Sequence, residues 1–244
     1  MQNLGHTRST RKPDHILHTP DAFVRAPLPG MTGGTAIVHI SPAAGAAFTQ
    51  YTAELEAHGT LGPAVEQRFI YNIEGSVDLA TGTSFHTLTS GGYAYVPAGV
   101  EHSVTASARS RLAVIEKSYQ PLEGAAPASI LVGTESSVTP VPLMGDSDLE
   151  VRSFLPDSPS FDFAVNTMTY QPGAALGMVE VHMMEHGLLM LAGGGIYRLS
   201  DAWYPVAEGD FIWMGPFCPQ WFGALGKQPA KYLIYKDWNR HPLG

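Results

Sequence analysis

From Gly34 onward, short segments of alternating apolar residues follow one another and are separated by Gly, Pro, Ser or Thr. Examples are TAIVHI, RFIYNIEG, SVDLATG and GYAYVP. A two-residue period rich in Val, Ile, Tyr and Phe is typical of β-strands, and we find no helical stripe longer than about two turns. The 26 glycines and 19 prolines stand between the apolar segments, where turns need them. We therefore expect an all-β protein.

The two halves of the chain resemble each other at a constant offset. Gly75 corresponds to Gly193 and Gly91 to Gly209, which is an offset of 118 residues. The first pair ends similar apolar strands, and the second pair opens similar aromatic strands. Matches that share one register and similar flanking strands indicate a duplicated domain.

This repeat predicts the domain organisation. We expect an N-terminal arm over residues 1–30, a first β domain over 31–120 and a second β domain over 151–244. The segment between them, 121–150, is rich in Pro, Gly, Ser and Thr, and it is predicted to be a linker.

Charge and composition exclude several classes of partner and location. With 14 basic and 22 acidic residues the net charge is −8, which argues against nucleic acid or an anionic membrane as the main partner. No apolar stretch approaches the roughly 20 residues that span a bilayer. The polar N-terminus does not resemble a secretory signal. Because the single cysteine, Cys218, cannot form an internal disulfide, we expect a cytoplasmic protein.

A group of potential metal ligands lies in the second half. Glu180, His182 and His186 share strand parity, and a hairpin followed by the strand after Gly209 would bring Gln220 across to them. Such a spacing also arises by chance. However, apolar residues flank it, and burying these groups without a partner would be costly. The mixed nitrogen and oxygen set favours Mn or Fe over a structural Zn site.

These glycine and ligand spacings resemble the two motifs of the cupin superfamily, in which antiparallel strands form a barrel around a metal ion. The first cupin motif usually reads G-x5-H-x-H-x3,4-E-x6-G. In this sequence Glu180 stands at the first His position, His186 stands at the Glu position, and Gln220 replaces the His of the second motif. Within a two-barrel chain, this pattern resembles the (S)-ureidoglycine aminohydrolases. The segments that carry the likeness are HTPDAFVRAPLPGM, GMVEVHMMEHGLLMLAGGGIYRL, PVAEGDFIWMGPFCPQWFG and YLIYKDWNR.

The resemblance implies a fold and a site. The fold would be two tandem cupin barrels of the double-stranded β-helix, jelly-roll-like type. Manganese, or another divalent first-row ion, would be bound by Glu180, His182, His186 and Gln220. The substrate would contact Glu180, Gln220, Tyr232 and Lys236, with Glu180 and Lys236 as the catalytic residues.

It also implies an activity. The chain would be a hydrolase that converts (S)-ureidoglycine to (S)-ureidoglycolate and ammonia during the breakdown of allantoin and purines, and it would form a homo-oligomer. Two alternatives stay open, because one barrel supports many chemistries. One is another metal-dependent cupin enzyme, namely a dioxygenase, decarboxylase or isomerase. The other is a non-catalytic bicupin that binds a small molecule.

The first half has lost most of the corresponding ligands. The offset puts Gly62, Ala64 and Arg68 at the three ligand positions of the first motif, and only His102 is retained. Since one ligand does not hold a divalent ion tightly, we expect this half to be a structural or dimer-forming barrel.

Overall fold

The computed structural model describes residues 6–82 and 84–240, which form twenty β-strands and three short 3₁₀ helices. The first eleven strands are β1 (Thr10–Arg11), β2 (His15–His18), β3 (Thr32–Ile40), β4 (Thr49–Thr60), β5 (Gln67–Glu74), β6 (Ser76–Thr81), β7 (Ser84–Thr89), β8 (Gly92–Val96), β9 (Ser103–Ala106), β10 (Ser110–Lys117) and β11 (Leu131–Thr134). The others are β12 (Val141–Leu143), β13 (Asp146–Ser153), β14 (Phe163–Tyr170), β15 (His186–Ala192), β16 (Gly194–Leu199), β17 (Ala202–Ala207), β18 (Phe211–Met214), β19 (Gln220–Ala224) and β20 (Ala230–Asp237). The 3₁₀ helices are Pro20–Ala22, Pro42–Ala44 and Glu135–Ser137.

The predicted all-β class is confirmed by these elements. No helix among the described residues is long and apolar enough to cross a bilayer. The strands divide between two structural units, which we call the N-terminal unit and the C-terminal unit.

The N-terminal unit contains Val24–Val138, Asp157–Asp162 and residues 239–240. Its strands form one sheet in the order β11-β8-β5-β10-β4-β9-β6-β7, and β3 pairs with β4 beside this path. The alternation of SVDLAT in β6 shows why such segments form strands here. Val77 and Leu79 are fully buried in the core, while the residues between them are partly exposed.

The C-terminal unit contains residues 6–23, Thr139–Pro156 and Phe163–Trp238. Eight of its strands form a sheet in the order β1-β2-β18-β15-β20-β14-β13-β12, and β17-β16-β19 form a smaller sheet. Aromatic and aliphatic side chains, among them Tyr197 and Phe222, fill the core of this unit.

Short strands occur within the segments predicted to be an arm and a linker. In the arm, β2 pairs antiparallel with β18 of the C-terminal unit. In the linker segment, β11 pairs with β8 and β12 pairs with β13. The predicted domain boundaries stay predictions.

The pairing register of β14, β15 and β20 determines which side chains lie next to one another on one face of the C-terminal unit. On β20, Lys236 lies opposite His186 of β15. On its other edge β20 pairs with β14, where Asn166 lies opposite Ile234. Because side chains two residues apart share a face, residues 232, 234 and 236 of β20 point the same way.

Candidate active site

Backbone pairing fixes the positions of the predicted ligands. Glu180 and Gln220 form an isolated antiparallel bridge, in which each backbone N–H donates to the other's carbonyl at 2.8 and 2.9 Å. After His182 the chain bends rather than continuing as a strand, and His186 begins β15. The bend therefore lets the imidazole of His186 join the group from a different strand.

The side chains of the predicted ligands come close to one another. His182 Nε2 lies 3.2 Å from Glu180 Oε2, and the rings of His182 and His186 are perpendicular, with centroids 5.4 Å apart. The buried amide of Gln220 accepts a hydrogen bond from the Tyr197 hydroxyl at Oε1, over 3.3 Å. Two imidazoles, a carboxylate and an amide thus lie together.

His186 has the properties of a metal ligand. Its Nδ1 lies 3.3 Å from the carbonyl oxygen of Tyr235, which only accepts hydrogen bonds, so the ring donates there. Nε2 is buried and has no partner among the described residues. Burial, together with the neighbouring His182, lowers the pKa of His186 to about 3, so the ring is neutral near pH 7. A lone pair on a buried, unpartnered nitrogen fits coordination of a divalent ion.

The predicted ligands line a cavity of about 420 Å³ in the C-terminal unit. At one end its wall is polar, with Glu180, His182, His186, Gln220 and Lys236. The rest of the wall is mainly aliphatic, from Val141, Leu143, Val151, Met168, Leu176 and Ile234. A largely apolar cavity with a few convergent polar groups is typical of a small-molecule site.

The two predicted substrate contacts also lie on this wall. The hydroxyl of Tyr232 lies 2.7 Å from that of Tyr170, and it donates to the sulfur of Met168 at 3.3 Å. Burial raises the pKa of Tyr232 well above its usual value, so it remains a neutral phenol. Lys236 Nζ lies 4.2 Å from the centroid of the Trp238 ring, a cation–π contact that orients the ammonium group.

A second cluster of ligand-type residues lies elsewhere in the unit. The ligand atoms of Asp14, His15 and Cys218 all lie within 4.8 Å of one another, which is not true of Glu180, His182 and His186. However, both ring nitrogens of His15 are occupied, by Asp14 at 2.8 Å and the Tyr204 hydroxyl at 2.9 Å. Burial raises the pKa of the Cys218 thiol to about 11, which disfavours the thiolate that metals bind.

Comparison with curated proteins assigns the family. No protein-family model matches the sequence. A rice protein named "Probable (S)-ureidoglycine aminohydrolase" is 43% identical over 247 aligned residues, which cover 100% of this chain and 79% of the relative. The (S)-ureidoglycine aminohydrolase of Arabidopsis thaliana is also 43% identical, covering 100% and 82%. That of Escherichia coli is 33% identical, covering 92% and 88%. The chain belongs to the (S)-ureidoglycine aminohydrolase family.

Solved structures share the fold of this chain. The Ylba protein of Escherichia coli superposes with a TM-score of 0.86 at 30% identity, covering 98% of this chain and 97% of the other. Oxalate decarboxylase of Bacillus subtilis superposes at 0.73 with 12% identity, covering 96% and 80%, which is a likeness of fold alone. The predicted architecture of two tandem cupin barrels is confirmed. As a member of the ureidoglycine aminohydrolase family, the chain is a hydrolase that acts on a C–N bond.

In this member of the ureidoglycine aminohydrolase family, a guanidinium group lies among the corresponding residues of the N-terminal unit. The buried Arg68, which corresponds to His186, donates to Glu116 Oε1 from Nη2 and Nε at 2.6 and 2.8 Å. Its Nη1 donates to His102 Nε2 at 3.1 Å, and His102 Nδ1 donates to the Val100 carbonyl at 2.8 Å. The Arg68 guanidinium thus provides hydrogen-bond partners for Glu116 and for His102, the retained ligand-type residue of this unit.

Two polar residues at this candidate site were not identified from the sequence. Tyr170 supports Tyr232 through its hydroxyl, and Asn166 lines the cavity. Asn166 could have been identified from the sequence, because it is a polar residue at a core-facing position in the apolar alternation of FAVNTMTY. Tyr170 could not, since a tyrosine at such a position is usually a core residue.

Proposed function

We propose that this enzyme hydrolyses the bond between the α-carbon and the amino group of (S)-ureidoglycine, giving (S)-ureidoglycolate and ammonia. The observation that carries the proposal is that Glu180, His182, His186, Gln220 and Lys236 line one cavity. It is supported by 43% identity, over the full chain, to the Arabidopsis protein that bears this name.

The cofactor of this proposal is Mn²⁺ or another divalent first-row ion, held by Glu180, His182, His186 and Gln220. Imidazole, carboxylate and amide oxygen suit such ions, and the unpartnered Nε2 of His186 supports the assignment. When bound, the ion would act as a Lewis acid on the substrate atoms that it contacts.

Lys236 and Tyr232 would bind and orient the substrate. The Lys236 ammonium suits the substrate carboxylate, because charge-assisted hydrogen bonds are stronger than neutral ones. Since Tyr232 is buried and remains a neutral phenol, its hydroxyl can hydrogen-bond to the ureido group without bringing a charge.

Glu180 would move the proton that the reaction requires. Water forms a C–O bond at the α-carbon, the C–N bond breaks, and the leaving nitrogen must gain a proton. Within the described lining of the cavity, Glu180 supplies the carboxylate. A carboxylate in this position can accept a proton from water and return it to the departing amine.

The test is ammonia release from freshly prepared ureidoglycine by the purified, Mn²⁺-loaded protein, with spontaneous decay of the substrate subtracted. We expect turnover that a chelator abolishes and that added Mn²⁺ restores. Oxygen consumption should stay at background, which separates hydrolysis from a dioxygenase reaction. Ammonia release no faster than the uncatalysed decay would overturn the proposal.

Three further properties are part of this proposal. The reaction would belong to allantoin and purine breakdown, the protein would act in the cytoplasm, and the chain would form a homo-oligomer, since exposed strand edges favour pairing. Light scattering at several protein concentrations tests the assembly.

A further inference from the structure

Asn166 places an amide in the cavity wall beside the aliphatic side chains of Ile234 and Met168. It lies in the middle of β14 and is 8% exposed. Its cross-strand neighbours are Ile234 of β20 and Ser153 of β13. Met168, two residues further along β14, also lines the cavity. The amide is thus presented to whatever fills the cavity rather than to bulk solvent.

Within the part of the chain that the structure describes, the Asn166 side chain makes no hydrogen bond. An amide offers one carbonyl acceptor and two N–H donors. A nearly buried amide loses free energy unless a ligand or ordered water replaces those bonds. Core packing alone would be served better by leucine, so the residue type itself indicates a polar ligand.

The strand register places this amide beside the proposed substrate contacts. Lys236 is the diagonal neighbour of Asn166 across β14 and β20, which separates their positions by about 7–8 Å. His186 lies opposite Lys236 on the far side of β20. The cavity wall thus presents, in order across three strands, a proposed metal ligand, an ammonium group and a neutral amide.

We propose that Asn166 determines specificity by binding the terminal carbamoyl part of the substrate's ureido group, an inference that rests on the proposed function. Its carbonyl oxygen accepts from the ureido NH₂, and its own NH₂ donates to the ureido oxygen. Ile234 and Met168, the aliphatic neighbours of Asn166 in the wall, limit the water that competes for these bonds. The ligand class is a short carboxylate that carries a terminal carbamoyl group.

Two stable ligands test this pairing without turnover. N-carbamoylglycine carries the terminal NH₂, and N-acetylglycine has a methyl group in its place. By calorimetry on the Mn²⁺-loaded protein, we expect wild type to prefer the carbamoyl ligand by about tenfold, as one good hydrogen-bond pair provides. Asn166→Leu should abolish this preference, and Asn166→Gln should retain part of it. Metal content should not change in either variant.

Thr169→Val is the matched control, because it removes a polar group of β14 on the face away from the cavity. It should keep the full preference. Equal weakening of both ligands in Asn166→Leu would indicate a structural role and overturn the inference. An unchanged preference, or no binding of either ligand to wild type, would overturn it as well. If wild type binds selectively but releases no ammonia, the proposed function fails while the role of Asn166 in binding stands.

Discussion

The Nδ1–H of His186 donates to the backbone carbonyl of Tyr235 at 3.3 Å, and this bond sets the tautomer of the ring. Because the proton is on Nδ1, the buried Nε2 carries the lone pair and has no partner among the described residues. Metal-bound histidines usually show this arrangement, with the distal N–H fixed by a backbone or carboxylate oxygen. The ring thus presents the lone pair that the proposed metal ligation requires.

His186→Ala is expected to reduce metal affinity by more than about 100-fold, beyond the 10–100-fold loss typical of outer-shell substitutions. Ammonia release should fall to background. Elemental analysis after gel filtration measures the metal, and His86→Ala in the N-terminal unit is the control. A His186→Ala protein with a full metal complement would contradict the assignment.

Lys236→Met is expected to raise KM for ureidoglycine by about 10–100-fold, since a hydrogen bond to a charged group contributes roughly 1.5–3 kcal/mol. Metal content should remain unchanged, and Lys236→Arg should recover part of the loss because it keeps the charge. Steady-state kinetics measures the effect. Lys231→Met is the control on the same strand, at a position of opposite parity. An unaltered KM in Lys236→Met would exclude the proposed carboxylate contact.

The fold was predictable because its strands are long enough to show their period. In β6 and β16, alternating apolar residues point into the core, and the repeated glycines mark the same turns in both halves. The pairing of β2 with β18 was not predictable, since four residues, HILH, carry too little pattern to identify a partner strand. The pairing of β12 was not predictable for the same reason, since this strand has only three residues.

The candidate site was predictable in its residue types rather than in its shape. Strand parity predicted that Glu180 and His182 point to the same side, and their side chains lie 3.2 Å apart. The bend before His186 depends on tertiary contacts. The cluster of Asp14, His15 and Cys218 joins residues about 200 positions apart, for which the sequence has no periodic signal. The family resemblance, rather than spacing, singled out Tyr232 and Lys236.

Arg68 provides a test of the N-terminal unit. Arg68→Met removes the guanidinium from Glu116 and His102. Because the Glu116 side chain is 23% exposed and keeps some hydration, we expect a loss of about 2 kcal/mol, less than the roughly 3–5 kcal/mol for a fully buried pair.

Denaturant unfolding measures this loss, and metal content should stay the same. The control is Arg109→Met, which removes a 3.8 Å ion pair whose side chains are 85% and 72% exposed. It should cost under about 1 kcal/mol. Equal effects of the two substitutions would show that Arg68 has no special role.

Cys218 should make stability depend on pH in the alkaline range. Burial raises the pKa of its thiol from 9.0 to about 11, so between these values the unfolded chain has lost the proton while the folded chain keeps it. The free energy of unfolding therefore falls as pH rises through this window, by at most about 1.4 kcal/mol per pH unit from this group.

Cys218→Ala removes the contribution, because alanine does not titrate. Urea unfolding at pH 8, 9 and 10 gives the free energy of unfolding of both proteins at each pH. The difference between the two proteins should stay constant from pH 8 to 9, and above pH 9 the wild-type value should fall relative to that of Cys218→Ala. A constant difference up to pH 10 would mean that the thiol ionises normally in the folded state.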